Sequence, residues 1–181
     1  MLLVDTNAGE EVILICDKCG YAANREKATF TNIYKQEGEV KLLPTEVVDT
    51  PGAATIEEVT AFLKVDAKRL VKTLLYMADG KPVAALVRGD RDVNEIKLKN
   101  AVGAIELELA TPAQIEDITG APVGFAGPVG LRNVQTIVDP MVAELKNFIV
   151  GANATEKHIL NVNIGRDFEP ARLVDITVAR G

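Results

Sequence analysis

The stretch Val71-Lys72-Thr73-Leu74-Leu75-Tyr76-Met77-Ala78-Asp79-Gly80-Lys81-Pro82-Val83-Ala84-Ala85-Leu86-Val87 decides how the rest of the chain is read. Two short apolar runs, at residues 73–77 and 82–87, flank Asp79-Gly80. Asp-Gly between apolar runs is a strong signal for a two-residue turn, so the pair reads as a buried β-hairpin. Upstream, Thr55-Ile56-Glu57-Glu58 has the form of a capping box, and Ile56, Val59, Phe62 and Leu63 follow at helical spacing. Asp66 is placed to cap a second short helix with Leu70 and Val71 inward. Downstream, Asp92 is placed to cap a helix running through Lys99, and Gly103 ends its neighbourhood. Residues 106–109 read as a strand. Thr111-Pro112 opens a further helix with proline at its first position, and Gly120 stops it.

Residues 120–131 form a loop rich in glycine and proline, and strands follow at 135–138, 147–150, 158–162 and 175–178. Near the N-terminus, residues 11–15 read as a strand leading into a turn at Cys16-Asp17-Lys18-Cys19-Gly20. Residues 24–43 read as a polar connector, and Pro44 opens the compact part. Helices alternate with hairpin-like strands, and the second half is rich in strands. The expected fold is therefore α+β, with a mixed, strongly curved, barrel-like β-sheet flanked by helices, and not a doubly wound parallel sheet.

The bulk composition narrows the classes. Hydrophobic residues make up 48% and charged residues 25% of 181, which is globular composition. Aromatics are 4% and tryptophan is absent, so the core must be aliphatic. No apolar run reaches the roughly 18 residues that span a bilayer, and the first residues lack the basic region of a signal peptide. A cytosolic protein without a membrane partner is expected. The formal net charge of −6 argues against a stand-alone nucleic-acid binder, whose affinity rests on Lys and Arg neutralising phosphates. An acidic domain still acts on RNA when another part of the polypeptide holds that RNA nearby.

Several residues carry candidate chemistry. The loop Gly124-Phe125-Ala126-Gly127-Pro128-Val129-Gly130 lets backbone N–H groups converge on a carbonyl oxygen or phosphate, although an ordinary tight connection has the same spacing. It lacks the Gly-Lys-Ser/Thr ending of a phosphate-binding P-loop. Lys72 sits among apolar neighbours at the edge of the core. Its ammonium is suited to a phosphate or carboxylate, or it snorkels into water with its stem packed. His158 is the sole histidine and suits an acid/base or substrate-orienting role, or that of a plain polar turn residue. The chain has no serine, so a Ser-His-Asp triad is excluded. Cys16 and Cys19 are too few for a disulfide framework and supply half of a four-ligand zinc site; two reduced cysteines in a turn fit better, and no metal site is expected. Asp139-Pro140 ends a strand, where Asp139 orients a substrate amine or simply starts a turn. The run 88–92 reads as a solvated turn with a helix cap.

These blocks together resemble the editing insertion of bacterial prolyl-tRNA synthetase. Cys16-Asp17-Lys18-Cys19-Gly20-Tyr21-Ala22-Ala23-Asn24 is similar to the stretch just before that insertion. Val48-Asp49-Thr50-Pro51, Val71-Lys72-Thr73-Leu74-Leu75, Leu86-Val87-Arg88-Gly89-Asp90, Gly124-x-x-x-Pro128 and Gly151-Ala152-Asn153-x-x-x-Lys157-His158 are similar to the insertion itself, in the same order. The resemblance extends to free-standing deacylases that clear mischarged proline tRNA. It implies a segment at residues 1–30 from the synthetase body and an editing domain at 31–181, with the body resuming after Ala179-Arg180-Gly181. It implies that Lys72 is essential for hydrolysing alanine from proline tRNA, with Gly124 and Gly127 in catalytic places. Phe125, Ala126 and Pro128 would help hold the aminoacyl-adenosine end, with Thr50, Asp139 and His158 shaping the pocket. It implies as partners the alanine-charged acceptor end of proline tRNA and the rest of the synthetase, itself a homodimer. No cofactor is implied for this domain; the parent ligase uses ATP and Mg at a site outside this chain. A non-catalytic module that binds the tRNA 3′ end or a phosphate through the same loop is the alternative.

Overall fold

The computed structural model describes residues 2–4, 13–15, 22–24 and 40–178. The Cys16/Cys19 turn and residues 25–39 of the expected connector lie outside the described residues. Near the N-terminus, strands β1 (Leu2–Val4), β2 (Ile13–Ile15) and β3 (Ala22–Asn24) form a small antiparallel sheet.

The expected hairpin is the spine of the main sheet. Strands β5 (Val71–Ala78) and β6 (Lys81–Arg88) pair antiparallel along their whole length. Asp79 and Gly80 both take positive φ, 47° and 76°, which matches the twist of a tight hairpin. The Asp79 carboxylate then accepts from the Ile105 and Glu106 N–H groups, at 3.0 and 2.8 Å, and so seats strand β7 (Leu107–Leu109) beside β5. On the other side β6 pairs in parallel with β8 (Gln135–Val138), and β8 with β11 (Arg172–Leu173). A second sheet has the order β4 (Glu46–Asp49), β10 (Lys157–Val162), β9 (Phe148–Gly151).

The fold is thus α+β with mixed strands, and the barrel-like expectation is corrected. The two sheets stay open and are joined by one isolated bridge, Leu70 to Ile149. Strand β7 is too short to cover β5 beyond Tyr76–Ala78, so the edge beside Thr73 is not sealed and no closure follows.

Side-chain alternation along the hairpin divides the core. Val71, Leu75, Ala84 and Leu86 pack with Phe148, Val150 and Val162 between the sheets. Tyr76, Val83, Ala85 and Val87 pack on the opposite face, with Leu98, Ile137 and Ile176. The core is mostly aliphatic; of its few aromatics, Phe148 is 1% exposed and meets Phe168 edge to face.

The helices follow their caps. Helix α1 (Ile56–Leu63) carries the full Thr55/Glu58 capping box and buries Val59. Helix α3 (Pro112–Thr119) carries a box of Thr111 and Gln114 and ends at Gly120. Asp66 caps only a 3₁₀ turn, Ala67–Arg69, because Val71 already belongs to β5. Helix α2 (Glu95–Val102) is capped by Asn94, not Asp92: Asn94 Oδ1 accepts from the Ile96 and Lys97 N–H groups. The chain is still extended before it, since Val93 bridges Thr177. That bridge is all that forms of the strand expected at 175–178, where Asp175 Oδ1 draws the Thr177 N–H into a local turn. Arg88 is buried at 3% exposure and held by Asp90, so the run 88–92 is not wholly solvated. Asp139 caps a short helix α4 (Pro140–Ala143).

Replacing a fully buried aromatic removes both transfer energy and packing. Phe148→Ala is expected to lower stability by about 3–5 kcal/mol, read by denaturant unfolding.

Candidate functional site

A cavity of about 280 Å³ opens where the unsealed edge of β5 faces helix α1, the glycine loop and the end of β9. Its walls are largely apolar: Val59, Leu70, Val71, Leu75, Ile115, Ile149 and Val150. Lys72, Thr73, Gly124, Ala126, Gly151 and His158 also line it. Ligand cavities for drug-sized molecules start near 300 Å³, so this one suits a small ligand.

The loop owes its shape to Asn153. Its Oδ1 accepts from Gly127 N–H at 2.8 Å, and its Nδ2 donates to the Gly127 and Val129 carbonyls at 3.0 and 2.9 Å. Its own N–H donates to the Phe125 carbonyl at 2.9 Å. The clamp draws loop and β9 so close that a Cβ on Gly127 would stand 1.8 Å from the Gly151 carbonyl oxygen. A Cβ on Gly151 would stand 2.3 Å from the Phe125 oxygen. Both positions therefore need glycine for close backbone approach. Gly127 and Pro128 are buried and do not line the cavity, and the Gly127 amide is engaged by Asn153, while Gly124 and Ala126 do line it.

His158 stands on β10 with its Nδ1 2.7 Å from the Thr50 hydroxyl, and Phe125 meets its ring edge-on at 5.9 Å. Both Thr50 and His158 are buried, at 0% and 4% exposure. Burial pushes the His158 imidazole below its ordinary 6.5, which favours the neutral ring. Lys72 lies at the rim. Its Nζ is 3.1 Å from Asp92 Oδ1, on a carboxylate side chain that is 61% exposed.

Of the residues expected at the site, the structure brings together Lys72, Gly124, Ala126 and His158, with Thr50 and Phe125 supporting the histidine. Asp139 is not among the lining residues. It is buried where it accepts from the Met141 and Ile176 N–H groups, and burial raises its carboxyl above the ordinary carboxylate range. Sequence reasoning missed Asn153, Asp92 and Thr73 as parts of this region. Thr73 carried a signal: it is the polar residue between Val71 and Leu75 on the inward positions of β5.

The aminoacyl-tRNA editing domain model matches residues 50–168, which holds the whole cavity. The chain belongs to the aminoacyl-tRNA editing domain family. A proline–tRNA ligase of Geobacter metallireducens is 52% identical over 176 residues, which make up 97% of this chain and 30% of that protein. One from Thermoanaerobacter sp. (strain X514) is 52% identical over 177 residues, 96% of this chain and 31% of that protein. The chain therefore spans about 30% of the first of these ligases. Among solved structures, a hypothetical protein aligns with TM-score 0.63 at 25% identity, covering 75% of this chain and 92% of its own. A candidate trans-editing enzyme for prolyl-tRNA synthetase aligns with TM-score 0.62 at 19% identity, covering 74% and 86%. These two share the fold.

Two expectations follow. Asn153→Ala strips three side-chain hydrogen bonds from the loop and leaves Gly127 polar groups unpaired, so a loss of about 1–3 kcal/mol is expected in thermal or denaturant unfolding. His158 binds its proton less readily folded than unfolded. Its stability contribution is therefore complete above about pH 6.5 and is lost as pH falls from there towards the folded-state value. A pH series of unfolding midpoints should show this slope, and His158→Gln should flatten it.

Proposed function

We propose that this domain hydrolyses alanine esterified to proline tRNA, as the editing part of a cytoplasmic proline–tRNA ligase. The observation that carries the reading is the apolar cavity beside a clamped glycine loop, within the span that matches the editing family. A synthetic pocket that accepts proline rejects alanine weakly, because missing methylenes yield only about 1–3 kcal/mol of discrimination. A second site that tests the attached amino acid by size solves the problem, and aliphatic walls suit a methyl side chain.

The ester is already activated, so the domain needs to orient it, place a water and stabilise the developing oxyanion. Water adds to the ester carbonyl, the bond to the ribose oxygen breaks, and that oxygen takes a proton. The lining offers no serine or cysteine nucleophile, and the neighbouring ribose hydroxyl is the group assigned to assist the water. In this reading Gly124 and Ala126 contact the aminoacyl-adenosine end, while Gly127 and Pro128 hold the loop in form. Thr50 keeps His158 in place, and Asp139 acts by seating the C-terminal segment. Lys72 binds the terminal phosphate or ribose. Its pairing with an exposed carboxylate is worth about 1 kcal/mol or less, so an arriving phosphate competes for it.

The −6 chain relies on the rest of a homodimeric ligase, which supplies ATP and Mg chemistry and holds the tRNA. The editing unit is assigned to residues 31–181, preceded by a segment of the ligase body.

The test is release of amino acid from charged proline tRNA by this domain joined to an RNA-binding module. Alanine should be released and proline retained, and Lys72→Ala should reduce alanine release by at least about a hundredfold, a loss of roughly 2.7 kcal/mol in transition-state binding, with unfolding unchanged. Full activity in that variant removes Lys72 from the mechanism. Binding without release in the wild type would favour a non-catalytic module.

A further inference from the structure

We propose that Thr73 is a specificity residue that reads the α-ammonium group of the aminoacyl ester, an inference that rests on the deacylase reading above. Its hydroxyl is buried at the cavity wall and has no hydrogen-bond partner among the described residues. The other polar side chains of the lining are engaged. Thr55 Oγ1 accepts from Glu58 N–H, His158 Nδ1 meets Thr50, and Lys72 Nζ meets Asp92.

The backbone of the same residue faces the same gap. The Leu70 carbonyl accepts from Gly89 on the β6 side, whereas the Leu75 carbonyl accepts from Ala110 on the β7 side. Backbone direction alternates along a strand, so Thr73 shares the Leu75 edge. Strand β7 pairs only with Tyr76–Ala78, and the bridge from β9 reaches only Leu70. Thr73 thus sits on the stretch of edge that neither neighbour pairs, and it offers a carbonyl and a hydroxyl as acceptors in an otherwise apolar wall.

Unpaired buried polar groups are costly, and an ammonium entering an apolar cavity needs acceptors. Each solves the other's deficit. Rotation about χ1 exchanges the hydroxyl with the γ-methyl and lets it follow a group entering the cavity. Two acceptors on one residue distinguish an amino acid ester from a plain acyl ester, a distinction that wall size alone does not make.

The test uses two non-hydrolysable probes, 3′-alanylamino-3′-deoxyadenosine and its propionyl counterpart, which lacks the amine. Binding to the whole chain is measured for wild type, Thr73→Val and Thr73→Ser. Valine keeps the β-branched shape and removes only the hydroxyl. Wild type should prefer the alanyl probe by about tenfold or more, as for a hydrogen bond to a charged group. Thr73→Val should lose most of that preference while keeping its affinity for the propionyl probe and an equal or higher thermal midpoint, and Thr73→Ser should restore the preference. Equal wild-type affinity for both probes, or an undiminished preference in Thr73→Val, overturns the proposal and leaves the deacylase reading standing. A parallel loss for both probes with a lowered midpoint marks Thr73 as structural and also overturns it. Failure of wild type to bind either probe overturns the site reading itself, and this inference with it.

Discussion

One side-chain amide, that of Asn153, satisfies the backbone of a loop that could not otherwise lie where it does. Residues 124–130 pass within van der Waals distance of the end of β9, and only the pairing of Gly127 with Gly151 allows that approach. The contact leaves backbone groups of the loop without sheet partners, and Asn153 engages four of them, three through its amide and one through its own N–H. With the loop pinned there, Gly124 and Ala126 form one wall of the cavity, and Phe125 turns back onto His158.

The opposite wall depends on an omission. Strand β5 is completely paired with β6 but only partly with β7, and the bridge to the second sheet touches Leu70 alone. A closed barrel would have sealed this edge. The open one leaves a slot whose depth comes from Val59, Ile149 and Val150. Under the deacylase proposal, a site for an activated ester needs shape and placed dipoles more than a strong nucleophile, and the slot offers that shape. Lys72, on a neighbouring position of the same strand, brings a charge to the rim and not to the interior, where burying it would be costly.

Much of this frame was legible in the sequence. Asp79-Gly80, the Thr55/Glu58 box and Thr111-Pro112 each act locally, and each formed as local chemistry dictates. What was hidden depends on distant partners. The cap of α2 went to Asn94 because Val93 is held extended by Thr177, 84 residues later. The strand at Glu46–Asp49 has little apolar alternation and exists through its pairing with β10. The sheet's failure to close follows from the shortness of β7, which no periodicity showed. At the site, Lys72, His158 and the glycine loop stood out by residue type; Thr73 left a faint signal as a polar residue on the inward face of β5, whereas Asn153 gains meaning only from what lies opposite it.

The most direct measurement is a crystal structure of this chain with a non-hydrolysable alanyl-adenosine amide bound. The alanyl methyl should lie against Val59 and Ile149, with the carbonyl towards Gly124 and Ala126 and the sugar near Lys72. Ligand density elsewhere on the surface, with the cavity beside β5 unfilled, would contradict the assignment of the site.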